Sequence, residues 1–320
     1  MLLLSNHLEE ACAALCLLTC IAWDSSLPPI MTRLMVHRLK AEGVLRGCKV
    51  HRASSVDTAL LERAKALLAR ADRVKAAMDI YGTQGYTFIT QNDERWPKRL
   101  NNLPPAQRPH LLFAKGNLCL LSDRTVAVTG SRDILPYTAS LARRAGQMLA
   151  SEGLTMVSGG ARGVDTAAHK GTLELGGQLI LVPAKPVKQL MDSPELAEAL
   201  KEERLLILCD APPDEHFSAQ KAIARNHVIY ALGKAALVIA AREGIGGSWH
   251  GAADCLRGGY TPVYVADGSG EDVRGNASLR KIGAGCVDLL RPLRGQMCMA
   301  EQMSWLDEIK EEGWNAGNPE

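Results

Sequence analysis

The spacing of apolar positions divides the chain into a helical first part and an alternating second part. Residues 1–82 show helical periodicity, as in EEACAALCLLTCIAW and in PIMTRLMVHRLKAEG, which reaches a natural stop at Gly43. The amphipathic stretch VDTALLERAKALLARADRVKAAMDIYG starts at Asp57, a good capping residue, and stops at Gly82. These segments predict a small all-helical N-terminal domain over residues 1–82.

Residues 83–124 change in character. YTFIT is predicted as a short strand, and the segment DERWPKRLNNLPPAQRPHLLFAKG that follows is interrupted by Pro97, Pro104, Pro105 and Pro109. We therefore expect this segment to be a linker that runs along the surface of another part of the protein.

Short apolar strands alternate with helices from residue 125 onward. The strands are predicted at TVAVTG, LTMVSGG, QLILVPA, RLLILCD, AALVIAA and TPVYVA, with a helix between each pair. This alternation predicts an α/β fold, a parallel sheet with helices on both faces. Ligands of such sheets bind beyond the carboxyl ends of the strands.

Three loops that follow strand ends are rich in glycine and serine: Thr129–Arg132, Ser158–Gly163 and Glu243–Ser248. Glycine lets backbone N–H groups approach an oxyanion, and the positive end of the following helix favours the same ligand. Arg132 and Arg162 add planar guanidinium groups suited to phosphate. A tight turn alone would explain one such loop, but three at one edge of a sheet indicate a phosphate site.

Other polar residues near these loops allow two interpretations each. Asp165 and His169 are spaced i, i+4 on a predicted helix and could pair a base with a carboxylate, although such pairs more often orient a loop or cap a helix. Lys170 is either solvated or in contact with a phosphate. Arg225 and Asn226 precede an apolar helical run, where they either serve the helix locally or lie at the ligand edge.

Several common sites are missing from the sequence. It contains no GxGxxG fingerprint, no Walker lysine after the loops, no GxSxG elbow and no HExxH, so we expect no cofactor, no metal and no ATP hydrolysis. The nine cysteines are scattered without a CxxC pair, which is typical of a reducing compartment. Cys12, Cys16 and Cys20 fall on one helical face and are expected in the core rather than around a metal.

The net charge of +2 hides an uneven distribution. Residues 301–320 carry six carboxylates and one lysine, so the rest of the chain carries +7, which suits an anionic partner. The acidic segment either aids solubility or competes with that partner. The apolar start lacks a basic region and contains Glu9 and Glu10, so we expect a core helix, no signal peptide, no membrane partner and a cytoplasmic protein.

Several motifs occur in a fixed order along the chain: VAVTGSR, VSGGARGVDTAAHKGTLELGG, ARNHVIYALG and GIGGSWHGA, with DERWPKRL and LFAKG before them and GNASLRKIGAG after them. In these motifs the sequence resembles the DNA-processing protein A family, also called DprA or Smf. The resemblance covers residues 83–290 and implies a Rossmann-like domain there, with 83–124 as its entry segment. Residues 291–320 would be an acidic tail, without the winged-helix domain that some family members carry.

The resemblance implies a function in DNA uptake. Family members bind single-stranded DNA, protect incoming DNA and help to load the RecA recombinase during transformation, usually as homodimers. We expect no enzymatic activity, because the catalytic glutamate of related hydrolases is not found in this sequence. Carried over by position, the residues that would bind DNA phosphates are Gly130, Ser131, Arg132, Ser158, Gly159, Gly160, Arg162, Gly163, Lys170, Arg225, Asn226, Gly246, Gly247 and Ser248.

The sequence departs from the family in its basic segment. FPRRNR becomes KAIARNH, so His227 replaces an arginine and only Lys221 and Arg225 remain charged; a Tyr-Pro pair after the third strand is replaced by AKPVKQ. These changes predict weaker DNA binding than is usual for the family.

Two other functions on the same superfold remain open. One is a nucleotide-sensing module, and the other is a phosphoribohydrolase of the lonely-guy type. The hydrolase needs the glutamate of a PGGxGTxxE loop, whereas this chain has Ala252 and Ala253 there and Asp254 one position late.

Overall fold

The computed structural model describes residues 2–18, 32–51, 56–122, 124–268 and 273–289. Within these ranges the helices are α1 (Leu2–Leu18), α2 (Arg33–Ala41), α3 (Thr58–Leu68), α4 (Ala71–Thr83), α5 (Pro136–Ser151), α6 (Val164–Glu174), α7 (Pro194–Lys201), α8 (Ala219–Leu232), α9 (Gly246–Gly258) and α10 (Arg274–Lys281). The strands are β1 (Leu45–Arg46), β2 (Lys49–Val50), β3 (Thr87–Thr90), β4 (Leu111–Gly116), β5 (Thr125–Gly130), β6 (Thr155–Ser158), β7 (Leu179–Leu181), β8 (Leu205–Cys209), β9 (Ala235–Ala240), β10 (Val263–Ala266) and β11 (Gly285–Val287).

The main sheet of the described residues has the order β11-β10-β9-β5-β6-β7-β8-β4-β3. Its strands pair in parallel from β11 to β8, whereas β4 pairs antiparallel with β8 and β3 pairs antiparallel with β4. From β5 the chain builds the sheet in one direction through β8, and then returns to add β9 to the other side of β5. The crevice between β5 and β9 is thus the topological switch point, where ligands of open α/β sheets bind.

Helices cover both faces of this sheet, which confirms the predicted fold class. Along β5, Val126 and Val128 pack in one core cluster with residues of α5 and α6, and Ala127 packs in the other with residues of α8 and α9. Successive side chains of a strand point to opposite faces, so an uninterrupted apolar strand requires a cover on each side.

The helical first part packs against the β3–β4 edge of the sheet. The rings of Tyr81 in α4 and Phe113 in β4 meet edge to face with centroids 5.4 Å apart. Cys12 and Cys16 are buried in the same core, as predicted, whereas Cys20 lies outside the described residues. No group of metal-ligating side chains occurs among the described residues.

The long amphipathic stretch forms two helices rather than one. The break falls between α3 and α4, where the Arg70 guanidinium donates to the carbonyl groups of Leu67 and Cys16 and so ties the turn to α1. A two-stranded hairpin, β1–β2, also interrupts this part of the chain and was not predicted from its sequence.

The structure also differs from the sequence-based prediction in short strands and near the end of the chain. The expectation of a linker up to residue 116 is wrong, because residues 111–116 form β4; the prolines upstream obscured a continuous apolar run that is buried between β3 and β8. The elements α10 and β11 were also not predicted. Among the described helices, none is long and apolar enough to cross a membrane. The predicted acidic tail at 291–320 lies outside the described residues.

Candidate phosphate-binding site

The three glycine-rich loops meet at one edge of the sheet. They follow β5, β6 and β9, and β5 pairs with both of the others. Two of the loops lead directly into helices, α6 at Val164 and α9 at Gly246. The positive ends of these helices therefore lie at the switch point of the sheet.

Glycine at position 163 lets the first two loops approach each other. Gly163 has φ 85° and ψ −126°, a conformation that disfavours any side chain. A Cβ atom on it would lie 2.4 Å from the carbonyl oxygen of Ser131 and 2.5 Å from that of Arg132. The next residue, Val164, donates its N–H to the Ser131 carbonyl at 3.2 Å.

Arg225 joins α8 to the second loop. A Cβ on Gly159 would lie 1.6 Å from Arg225 Nη1, so the guanidinium rests directly against the glycine backbone. Both Arg225 and Asp165 are about 5% exposed. Burial lowers the pKa of Arg225, and the negative charge of Asp165 opposes that shift. Burial likewise raises the pKa of Asp165, while Arg225 and the N–H groups of Ala161 and Gly159 oppose the change.

Asp165 therefore has a structural role at the start of α6. Its carboxylate accepts the N–H of Ala161 at 3.1 Å and balances Arg225. The arrangement fits the interpretation in which this aspartate orients the loop. It also places the Arg225 guanidinium as a fixed, buried cation behind the loop surface.

The third loop is tied to the first loop and to α8 by side-chain hydrogen bonds. Asn226 Nδ2 donates to the Gly247 carbonyl at 3.1 Å, and Ser248 Oγ donates to the Gly130 carbonyl at 2.7 Å. Ser131 Oγ donates to the Ala240 carbonyl at 3.2 Å. In this structure the two serine hydroxyls thus connect the loops, and their contact with a phosphate stays a prediction.

Backbone donors remain available at the second loop. In the part of the chain that the structure describes, the N–H groups of Gly160, Arg162 and Gly163 donate to no protein acceptor. Gly160 also has a positive φ of 67°, as Gly163 does at 85°. Glycines with positive φ favour loops in which neighbouring backbone N–H groups form an anion-binding concavity, and the start of α6 adds its positive end.

The two exposed arginines predicted for the site lie at its rim. Arg162 Nη2 pairs with Asp133 Oδ1 at 2.8 Å, with both side chains mostly exposed. The Arg132 guanidinium lies over the ring of Phe217, 5.4 Å from its centroid. Phe217 is 50% exposed, so its ring faces solvent beside a cation.

Three other polar residues lie away from this edge or are buried. Lys170 is exposed in the second half of α6, where its charge acts on Glu174 and Glu195. His169 is buried, and burial lowers its pKa to about 3. His227 is buried with Nδ1 3.3 Å from the Tyr260 hydroxyl, so it offers no surface charge.

A second cleft adjoins the loops beyond β7 and β8. Its polar lining consists of Lys185, Asp210, Glu215, Lys221 and Arg225. Lys221 Nζ pairs with Glu215 Oε1 at 2.6 Å. Arg225 lines the cleft and also contacts the second loop, so the cleft and the loop site are adjacent along the same edge of the sheet.

Reasoning from the sequence missed Phe217 and the carboxylates that balance the cations. Phe217 follows a strand end and precedes a helix, as the three loops do, and this position was the available signal. Asp133, Asp210 and Glu215 also follow strand ends, but nothing local indicates which cation each of them faces.

Comparison with known proteins identifies relatives of this sequence. The profile of the family described as DNA recombination-mediator protein A matches residues 87–293, well over half of the chain. Protein Smf of Escherichia coli (strain K12) is 28% identical over 202 residues, which cover 60% of this chain and 54% of that protein. DNA processing protein DprA of Streptococcus pneumoniae is 44% identical over 90 residues, 28% of this chain and 31% of that protein. The chain thus spans about half or less of the length of these two relatives.

Two solved structures share the fold. The X-ray structure of DNA processing protein A from Streptococcus pneumoniae superposes with a TM-score of 0.59 and 25% identity, covering 80% of this chain and 95% of that one. DNA processing protein A from Helicobacter pylori, whose structure was described for its single-stranded DNA binding mode, superposes with a TM-score of 0.55 and 22% identity, covering 70% and 96%.

Proposed function

The chain belongs to the DNA recombination-mediator protein A family, and on this premise we propose that it binds single-stranded DNA at the three-loop edge and acts in DNA processing during transformation. In this role it protects incoming DNA and delivers the strand to a RecA-type recombinase, as a cytoplasmic homodimer without catalytic activity. The recombinase and the dimer rest on the family resemblance alone, and the compartment rests on the scattered cysteines without a CxxC pair.

The observation that carries the proposal is the cluster of free donors at the start of α6. The N–H groups of Gly160, Arg162 and Gly163 face no protein acceptor among the described residues. The exposed Arg132 and Arg162 side chains lie at the same place. Backbone amides and guanidinium groups bind phosphate oxygens without reading a base, which suits a protein that accepts any sequence.

An exposed aromatic ring favours a nucleic-acid strand over free phosphate. Phe217 lies next to Arg132 at the rim, and successive bases of a single strand stack on such rings. Stacking is tolerant of sequence because every base presents a π-face. A strand could therefore place a phosphate at the second loop and a base on Phe217.

The same geometry supports a binding protein rather than a hydrolase. Ala252 and Ala253 are buried where the phosphoribohydrolases of this superfold need a glutamate, and Asp254 pairs with Arg257 at 3.0 Å. Asp165 is buried beside Arg225 and supports the loop. His169 has a pKa of about 3, lowered by burial, which makes it a poor general base.

The test is fluorescence anisotropy of labelled oligo-dT at two salt concentrations. We expect Arg132→Ala and Arg162→Ala each to weaken binding and to lower the slope of log K against log salt by roughly one, because each removes one phosphate contact. Arg257→Ala is the matched control, since Arg257 is also an exposed, ion-paired arginine but lies in the last turn of α9.

Unlabelled AMP and oligo-dT of several lengths complete the design. A DNA-binding site should prefer longer strands and resist AMP. Displacement by AMP without any dependence on strand length would replace the proposal with a nucleotide sensor. Unchanged binding in both arginine variants would remove the three-loop edge as the DNA site.

A further inference from the structure

An arginine from the helical first part reaches the carboxyl end of β8. Arg33, the first residue of α2, pairs through Nη2 with Asp210 Oδ2 at 2.6 Å. Its other terminal nitrogen, Nη1, donates to the Gln107 carbonyl at 2.7 Å. The Arg33 and Asp210 side chains are only 19% and 10% exposed, so the pair is well shielded from water.

Asp210 lies in the wall of the cleft that Arg225 shares with the loop site. It lines that cleft together with Lys185, Lys221 and Arg225. Burial lowers the pKa of Arg225, and the charges of Asp165 and Asp210 both oppose the shift. The Asp210 carboxylate is thus near enough to influence the buried cation of the site.

Two further contacts hold the helical part against this edge. The Arg33 carbonyl lies 3.0 Å from His110 Nε2, and the Tyr81 hydroxyl donates to Asp214 Oδ1 at 2.6 Å. Asp210 and Asp214 both belong to the segment between β8 and α8, which also carries Phe217. The helical part therefore contacts the segment that forms one side of the candidate DNA site.

We propose that Arg33 is a positioning residue for DNA binding, which neutralises Asp210 so that this carboxylate does not repel a phosphate beside Arg225. The proposal rests on the proposed function, because it concerns the strength of the same site. It assigns to the helical part of the chain a direct electrostatic influence on a site formed by the sheet.

Without Arg33, the Asp210 carboxylate would lose its ion-pair partner. A carboxylate that is 10% exposed cannot be compensated well by solvent, so its field would extend into the cleft. It would oppose an incoming phosphate and compete for Arg225. At an effective dielectric constant near 20 and a separation of about 10 Å, one such charge weakens phosphate binding roughly tenfold.

The experiment compares four proteins by oligo-dT anisotropy at low and high salt: wild type, Arg33→Gln, Asp210→Asn and the double variant. We expect Arg33→Gln to bind roughly tenfold more weakly at low salt, with a smaller difference at high salt because of screening. Asp210→Asn should bind at least as tightly as wild type. The double variant, which restores neutrality, should return to within about twofold of wild type.

The matched control is Arg38→Gln. Arg38 belongs to the same helix and also forms an ion pair, with Glu42 at 2.8 Å, but its side chain is 65% exposed. We expect its affinity for DNA to match that of wild type. Thermal melting of every variant separates a change in binding from a loss of folded protein.

Each outcome either supports or overturns the proposed role of Arg33. Recovery in the double variant supports pairing, because a residue that merely touched DNA or held the fold would not be rescued by Asp210→Asn. A double variant as weak as Arg33→Gln overturns the proposal, and so does normal binding by Arg33→Gln. If Arg33→Gln does not fold, weaker binding by Asp210→Asn alone still overturns it. Absence of DNA binding by wild type refutes the proposed function instead.

Discussion

Replacing Gly163 with alanine tests the packing on which the candidate site depends. This residue caps the start of α6 with φ 85° and ψ −126°. An added Cβ would lie 2.4 Å and 2.5 Å from the carbonyl oxygens of Ser131 and Arg132. The substitution therefore adds two effects, a strained backbone at residue 163 and a clash with the backbone of the first loop.

The size of each effect follows from the geometry. An alanine held in a glycine conformation costs about 1–3 kcal/mol. A Cβ contact well below 3.0 Å with backbone cannot be relieved by rotating a side chain, so the first loop must shift, at a further cost of about 1–3 kcal/mol. We expect Gly163→Ala to lower the free energy of unfolding by about 4 kcal/mol, against a typical total of 5–15 kcal/mol.

Gly176 provides the matched control at the other end of the same helix. It also has a positive φ, 70°, but a Cβ there would meet nothing within 4 Å. Gly176→Ala thus introduces strain without a clash and should cost about 1 kcal/mol. Urea denaturation followed by circular dichroism measures both free energies, and oligo-dT anisotropy on the folded variants measures binding.

The two variants should also differ in DNA binding. Gly163→Ala displaces the carbonyl groups of Ser131 and Arg132, so it should weaken binding even where the protein is fully folded. Gly176→Ala should leave binding unchanged. Equal losses of stability in the two variants would refute the close approach of the first two loops. Normal DNA binding by a folded Gly163→Ala variant would show that this approach does not matter for the ligand.

Phe217, Asp133 and His169 offer three further tests. Phe217→Ala should weaken oligo-dT binding by about 1–2 kcal/mol, because a stacking surface is lost, whereas Phe217→Tyr should bind normally; equal binding by all three proteins would exclude stacking at this ring. Asp133→Asn should tighten binding at low salt by a few-fold, because it frees Arg162 from an exposed ion pair, and weaker binding would instead assign the carboxylate a supporting role. Burial lowers the pKa of His169 to about 3, from the usual histidine pKa of 6.5. The stability that the neutral imidazole contributes is therefore complete above pH 6.5 and is lost as the pH falls toward 3, by up to about 1.4 kcal/mol per pH unit. Urea denaturation across this range should show a smaller decline in His169→Leu, and an identical decline would contradict the assigned burial.

The sequence predicts those parts of the fold that depend on interactions between residues close together in the chain. The apolar strands and the glycines after them were predicted because a buried strand needs continuous apolar residues and a tight strand–helix loop needs glycine. The strand at 111–116 was missed because prolines precede it and because its pairing with β8 joins residues about a hundred positions apart. The break at Arg70 was missed because its cause, a hydrogen bond to the Cys16 carbonyl, is a tertiary contact.

The carboxylates that pair with the arginines of the site were also not predicted, because they are far from those arginines in the sequence. Arg162 and Asp133 are 29 positions apart, and Arg33 and Asp210 are separated by 177. No periodicity relates such residues, so the sequence indicates the cations and not which carboxylates face them. A count of positive charge therefore overstated the field that a phosphate would meet at this edge.

The pairing of cations with carboxylates at the three-loop edge affects whether a single phosphate or a polyanion binds there. Arg162 is paired with Asp133, and Lys221 with Glu215, so a phosphate that binds either cation must compete with a carboxylate already in place. An exposed ion pair such as Arg162–Asp133 is worth only about 0–1 kcal/mol, and the Lys221–Glu215 pair is also partly exposed to solvent, so the exchange of a carboxylate for one phosphate gains little. A single phosphate should consequently bind weakly. A strand presents many phosphates at once, so the small gains from several exchanges add up. Binding of a strand also releases the counterions condensed on it, and this release contributes more free energy than a single exchange does. The paired cations therefore favour a polyanion over a mononucleotide, and they predict that affinity rises steeply with strand length until the strand spans both the loop site and the cleft beyond β8.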